Sequence, residues 1–128
     1  MPDLNRRRSS RQKGDRGEAL ALSYLAKKGY ETLERNYRTR HSEIDLVVRN
    51  EAALVFVEVK LRGGREFGDP LEAVTPEKQA RIRFTAEQYL AEQGEDFVAG
   101  FDEVRFDVVG ILVSGTGMPE IQHVEDAF

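Results

Sequence analysis

The sequence predicts an α/β fold: a mixed sheet of four to five strands flanked by helices, in the order α-β-β-β-α-β. Three observations carry that expectation. Apolar residues recur at helical spacing in two segments, near 15–28 and 75–94. Between them lie two alternating segments and one nearly continuous apolar run, "ALVFVEVKL". After the second helical segment comes another strand-like run, "EVRFDVVGILV". A chain of 128 residues is one domain's worth and buries a core without staples.

Residues 1–13 are polar, basic and without periodicity, and read as a disordered arm ahead of a domain spanning 14–128. The first helix is expected over Asp15–Lys28, with Asp15 as N-cap, Ala19, Leu22, Leu25 and Ala26 as its apolar stripe, and Gly29 as its stop. Tyr30–Arg38 alternates loosely as a first strand. Ser42–Val48 is a second, with Ile44, Leu46 and Val48 on one face. The third strand follows the turn "RNEA" and is apolar enough to be central and covered on both sides. Residues 62–74 form a loop with three glycines and a proline, and no Gly-Lys-Ser/Thr follows to make a phosphate loop. The second helix starts with Thr75 as cap and Pro76 at its first position. It presents Ile82, Ala86, Tyr89 and Leu90 inward. Glu103–Val113 is a fourth strand and Glu120–Val124 a short fifth.

Composition excludes several classes. There is no cysteine, hence no disulfide framework and no cysteine-based zinc site. The longest apolar run, Ala52–Val57, is far short of a membrane span, and the basic N-terminus has no apolar segment behind it. The expectation is a soluble, cytoplasmic protein with no membrane partner. The net charge of −4 hides an asymmetry: residues 1–83 carry +5, while residues 84–128 carry −9. Such a chain can show a phosphate-attracting face despite its acidic total.

One feature asks for a chemical explanation. In "LVFVEVKLR", strand alternation puts Leu54, Phe56, Glu58 and Lys60 on one face. If the second and third strands form a hairpin, turn length decides what faces Glu58. A two-residue turn sets Asp45 diagonal to Glu58, a four-residue turn sets it directly opposite, and a three-residue turn separates their faces. Direct neighbours lie about 5 Å apart and diagonal ones about 7–8 Å. Two carboxylates so close require positive charge, which Lys60 or a divalent cation such as Mg2+ or Mn2+ would supply. Glu18 adds a third carboxylate: it precedes Leu22 by four residues and Leu25 by seven, which places it on the core-facing stripe of the first helix.

Asp45 followed by Glu58-Val59-Lys60 on paired strands, behind a helix bearing Glu18, resembles the core of the PD-(D/E)XK nuclease superfamily. More closely, "GDRGEALALSYLAKKGY", "NYRTRHSEIDLVV", "LVFVEVKLR", "TPEKQARI" and "RFDVVGI" are similar to the YraN-like family of small bacterial proteins. The similarity runs from Gly14 to about Ile111. Ile44 stands where the superfamily's name has a proline, while the Glu-x-Lys portion is intact. The resemblance implies a restriction-endonuclease-like core, related to archaeal Holliday-junction resolvases, in a single domain over 14–128.

It further implies a metal-dependent endonuclease acting on DNA, selective for branched, flap or junction structures. Asp45 and Glu58 would hold Mg2+ or Mn2+, with the Val59 carbonyl as a further ligand and Glu18 as a third carboxylate or a ligand through water. Lys60 would orient the attacking water or stabilise developing charge. Arg62, Arg65, Lys78 and Arg81 follow the Glu-x-Lys strand as candidate nucleic-acid contacts. Arg105 and Asp107 share a face of the fourth strand and read as a structural pair; His41 and His123 are given no role. A homodimer would bring two basic faces together. The competing reading is a nucleic-acid- or protein-binding module that keeps the nuclease fold without catalysis. The sequence names no protein partner.

Overall fold

The computed structural model describes residues 4–63, 70–113, 115 and 117–128, the side chains of 4–15 and 70 excepted. Its elements are α1 (Leu4–Lys27), β1 (Glu31–Arg38), β2 (Glu43–Arg49), β3 (Ala53–Gly63), a 3-10 turn (Pro70–Ala73), α2 (Pro76–Gln93), α3 (Glu95–Ala99), β4 (Glu103–Val113) and β5 (Glu120–Val124). The five strands lie in sequence order in one sheet. All neighbouring strands are antiparallel except β3 and β4, which are parallel and joined by the α2–α3 crossover. The predicted α/β class and element order are those of the molecule.

The sheet has two covered faces. On one side α1 lays Ala21 and Leu25 on Leu46, Val48, Val55, Val57, Val109 and Ile111. On the other, Ile82, Ala86 and Tyr89 of α2 pack on Val47, Leu54, Phe56 and Val108. Strand β3 therefore feeds alternate side chains into both clusters, which is why its central run is apolar without interruption.

Local signals account for most boundaries. Thr75 caps α2, its Oγ1 accepting the Lys78 N–H at 3.2 Å, and Pro76 opens the helix. Gly29, at φ 94°, ends α1: its N–H reaches the Ala26 carbonyl and the Tyr30 N–H reaches that of Leu25, a Schellman closure that a residue with Cβ would strain. The hairpin between β2 and β3 uses the four-residue alternative, since Arg49 pairs with Leu54 around Asn50–Ala53.

Three expectations are corrected. Helix α1 is helical from Leu4, through much of the segment read as an arm, so Asp15 is interior to it and not its cap. Leu, Arg, Gln and Lys are good helix formers, and extending a nucleated helix costs far less than starting one. The buried stripe of α1 is Glu18, Ala21 and Leu25 with Leu22 at its edge, whereas Ala19 and Ala26 are exposed. Ile44 packs on the α2 side, opposite to Leu46 and Val48. The strand turns over at Asp45, where backbone pairing with β3 stops after Leu46 and Val57.

Candidate active site

The end of the β2–β3 ladder is where the charged residues gather. In register, Asp45 and Glu58 would be the next pair, but the strands part there and the side chain of Asp45 takes over. Its Oδ2 accepts the Val59 N–H at 2.8 Å. Glu58, only 6% exposed, turns to the α2 side as alternation requires. Its Oε1 accepts from Lys78 Nζ at 2.8 Å and lies 3.5 Å from Lys60 Nζ. Lys78 comes from the first turn of α2, so the Thr75 cap that fixes where this helix begins also fixes where the ammonium stands.

Glu18 approaches from the other layer. Helix α1 lies on β3 at this point: a Cβ at Gly17 would stand in ordinary contact, 3.4 Å from Leu61 Cβ and 3.8 Å from Val59 Cγ1. Glu18 is 7% exposed and its Oε2 accepts from Asn36 Nδ2 at 3.1 Å, with Arg35 Nη2 at 3.8 Å. Asn36 sits at φ 54°, a left-handed conformation inside β1 that asparagine tolerates better than most residues. The strained position aims its amide at Glu18.

The electrostatics of the cluster are unbalanced. Burial, and then the negative charge of Glu58, push the Asp45 carboxyl up to about 7; its bond from the Val59 N–H works the other way, and Glu18 and Glu43 add to the rise. Burial first, and then Lys78 beside it, lower the pKa of Lys60 against the pull of Glu58. Lys78 is raised: burial opposes this, but its bond to Glu58 prevails. Asp45 is therefore a carboxylate in need of a cation while both lysines attend Glu58.

Of the predicted residues, Asp45, Glu58, Val59 and Lys60 are brought together, and Glu18 faces the same charges from α1 while bonded to β1. Lys78, predicted only as a phosphate contact, is a direct partner of Glu58. Arg81 is exposed on α2 and Arg62 half-buried at the end of β3; Arg65 lies outside the described residues. The sequence reading missed Asn36 and Arg35, which hold Glu18. The asparagine in "ERNYR", a poor strand former, was the available signal.

A divalent metal fits this donor set in one form only. Among the described residues, no three acidic or histidine side chains are grouped to hold an ion. An all-protein cage is therefore not what these residues build. Magnesium, however, is commonly bound by one or two carboxylates, with waters and substrate phosphates completing its shell. Asp45 and Glu58 are such a pair, of the hard oxygen chemistry that ion prefers.

The predicted pair Arg105–Asp107 does form. Arg105 donates to both carboxylate oxygens at 3.1 and 3.0 Å, and His123 Nε2 lies 2.8 Å from Oδ2. His123, given no role from sequence, is thus an internal partner of Asp107. No helix among the described residues is long and apolar enough to cross a membrane.

Comparisons with known proteins agree with this picture at the level of family. A model described as uncharacterised protein family UPF0102 matches residues 17–111. A UPF0102 protein of Rhodococcus jostii is 46% identical over 115 residues, covering 90% of this chain and 94% of its own. One from Chlorobium chlorochromatii is 42% identical over 130 residues, covering 98% and 97%. One from Syntrophomonas wolfei is 46% identical over 119 residues, covering 93% and 99%. The matched span contains α1's Glu18, the Asp45–Glu58–Lys60 strands and Lys78, and on these grounds the chain belongs to the UPF0102, or YraN, family.

Proposed function

We propose that this protein is a metal-dependent endonuclease that hydrolyses phosphodiester bonds in DNA, with Asp45, Glu58 and Lys60 at its centre. The observation that carries the reading is the unbalanced charge at the parting of β2 and β3. Asp45 is held up to about 7 by burial and by Glu58, a cost that its one bond from the Val59 N–H does not offset. Asp45 and Glu58 would hold Mg2+ or Mn2+, which when bound supplies charge to the scissile phosphate and acidity to a bound water. Lys60, whose proton affinity is lowered by burial, is suited to orient the attacking water and to accept its proton. Lys78 is placed to follow negative charge from Glu58 to a substrate phosphate, and Glu18 to hold the site's water by hydrogen bonding from the α1 side.

The test is cleavage of labelled single-stranded, duplex, flap and four-way-junction DNA with magnesium or manganese. Wild type is expected to cleave, and Glu58→Ala and Lys60→Ala, folded by circular dichroism, to lose at least a hundredfold in rate. One observation favours a second reading, a binding module without catalysis: Glu58 is already satisfied by two lysines. DNA binding that needs no metal, with no cleavage and no sensitivity to either substitution, would decide for that module.

A further inference from the structure

Beyond the carboxylates, α2 carries a second, unexplained feature. Phe84 is 46% exposed, one of few large apolar side chains left in water among the described residues. It does not stand alone: the ring of His41, from the turn between β1 and β2, meets it at 4.8 Å between centroids and 78° between planes. That turn is fastened to α2 by hydroxyl groups. Ser42 Oγ lies 2.7 Å from Oγ1 of the fully buried Thr85 and donates to the Arg81 carbonyl at 3.2 Å. Thr39 Oγ1 accepts the His41 N–H at 3.2 Å. An exposed aromatic pair is thus held between α2 and a turn that hydroxyl bonds, one of them to the fully buried Thr85, fasten to that helix, an arrangement that core packing does not require.

The surroundings carry both signs: the exposed Glu87 is one turn beyond Phe84 on α2, while cations lie towards the start of the helix and in the β1–β2 turn. Arg81 is one turn from Phe84 on α2, and Arg40 adjoins His41; both are exposed, and neither forms an ion pair among the described residues. Arg38 lies in the same turn region and is answered by Glu43 at 3.3 Å. Arg83 is engaged elsewhere, over the Phe106 and Phe128 rings. Lys78, the partner of Glu58, is on the same helix, and Phe84 follows it by about 9 Å of rise along the helix axis. Positive side chains interleaved with an exposed ring are the means by which proteins hold single strands, phosphates on the cations and bases on the ring.

We propose that Phe84, braced by His41 and flanked by Arg40 and Arg81, is a stacking platform for an unpaired base, so that the substrate class is nucleic acid with a single-stranded segment. The inference names the substrate of the site described above and rests on that reading for the cleavage step, but not for binding. A duplex keeps its bases stacked on one another and offers the ring only a backbone. A strand end, flap or opened junction offers the base itself. Arg40 and Arg81 then serve phosphates on either side, independent of sequence.

The experiment measures fluorescence anisotropy of a labelled oligothymidylate and of a labelled blunt duplex without metal. It compares wild type with Phe84→Ala, Phe84→Trp and Arg81→Ala, each checked for folding by circular dichroism. Phe84→Ala is expected to weaken single-strand binding about tenfold and leave duplex binding within twofold, Phe84→Trp to restore it, and Arg81→Ala to weaken both. Equal single-strand affinity for wild type and Phe84→Ala, an equal loss on duplex, or no binding of either probe by wild type overturns the platform. Because no cleavage is read, the result stands apart from the catalytic test. A Phe84-dependent single-strand binder that does not cut leaves the platform in place and removes only the nuclease.

Discussion

The described residues hold two buried clusters of charge on one sheet, built on opposite principles. Around Asp107 every demand is met: the fully buried carboxylate takes two bonds from Arg105, one from His123 and one from the Asp126 N–H. Arg105 in turn reaches Tyr30 Oη at 2.7 Å, and His123 Nδ1 lies 3.2 Å from Tyr24 Oη. Strands β4 and β5, helix α1 and the chain after β5 are thereby tied at one point. Around Asp45 the reverse holds: one N–H is its hydrogen-bond donor against three neighbouring carboxylates, and the nearby Lys78 is bonded to Glu58 instead. Burial would raise both groups. In Asp107 the bonds from His123, Arg105 and Asp126 outweigh it and the net shift is downward, whereas in Asp45 the neighbours add to it. A saturated cluster serves the fold, and an unsaturated one points to chemistry.

The sharpest way to break this contrast is to remove each acid in turn. Asp107→Ala leaves Arg105 and His123 facing each other in the interior and is expected to cost about 3–5 kcal/mol, read from the urea midpoint. The opposite sign is expected at the other cluster. Asp45→Asn keeps an acceptor for the Val59 N–H and removes the repulsion, so at pH 8 it is expected to gain about 2 kcal/mol while abolishing the proposed cleavage.

The pH dependence separates the two clusters further. A carboxyl raised in the folded state favours folding when protonated, and that contribution is lost as pH rises from its ordinary value of 3.8 to about 7. The gain from Asp45→Asn should therefore shrink towards zero near pH 4. Asp107, lowered in the folded state, contributes stability that is full above its ordinary 3.8 and is lost as pH falls through its folded value. Urea midpoints from pH 3 to 8 check the first statement by comparing wild type with Asp45→Asn, and the second by comparing wild type with Asp107→Asn. A wild type without falling stability between pH 4 and 7 would put the imbalance at Asp45 in error.

A smaller effect sharpens the picture at Glu18. Asn36→Gly relieves the left-handed backbone but gives up the bond to Glu18, so the two changes nearly cancel, within about 0.5 kcal/mol. Asn36→Ala loses the bond and keeps the strain, and is expected to fall about 1 kcal/mol below the glycine variant by thermal unfolding.

What the sequence revealed, and what it concealed, follows from range. Glu58 and Lys60 share a face by alternation alone, and Asp45 was narrowed to a choice among turns that the Asn50–Ala53 hairpin then decided. The Thr75 cap, the Gly29 stop and the bounds of β4 and β5 are set by neighbours in sequence, and they came out as predicted. Lys78 on Glu58 depends on how the crossover helix docks, and no spacing rule reaches that far. Neither does one reach Tyr24 and His123, ninety-nine residues apart. Ile44 was assigned to the wrong face because alternation assumes an unbroken strand, and the break at Asp45 is itself part of the site. Helix α3 is too short to leave a periodic trace.

The single parallel contact in the sheet, between β3 and β4, sets an order of assembly. The β1–β2–β3 meander closes through short turns, whereas β4 can pair only after the chain has travelled through α2 and α3. Folding is therefore expected to bring Asp45 and Glu58 face to face in the local hairpin before α2 delivers Lys78. The transition state would feel their repulsion with only Lys60, on β3 itself, to offset it. On that account Asp45 and Glu58 are expected to raise the folding barrier, and Lys78, arriving late, to act mainly on the rate of unfolding.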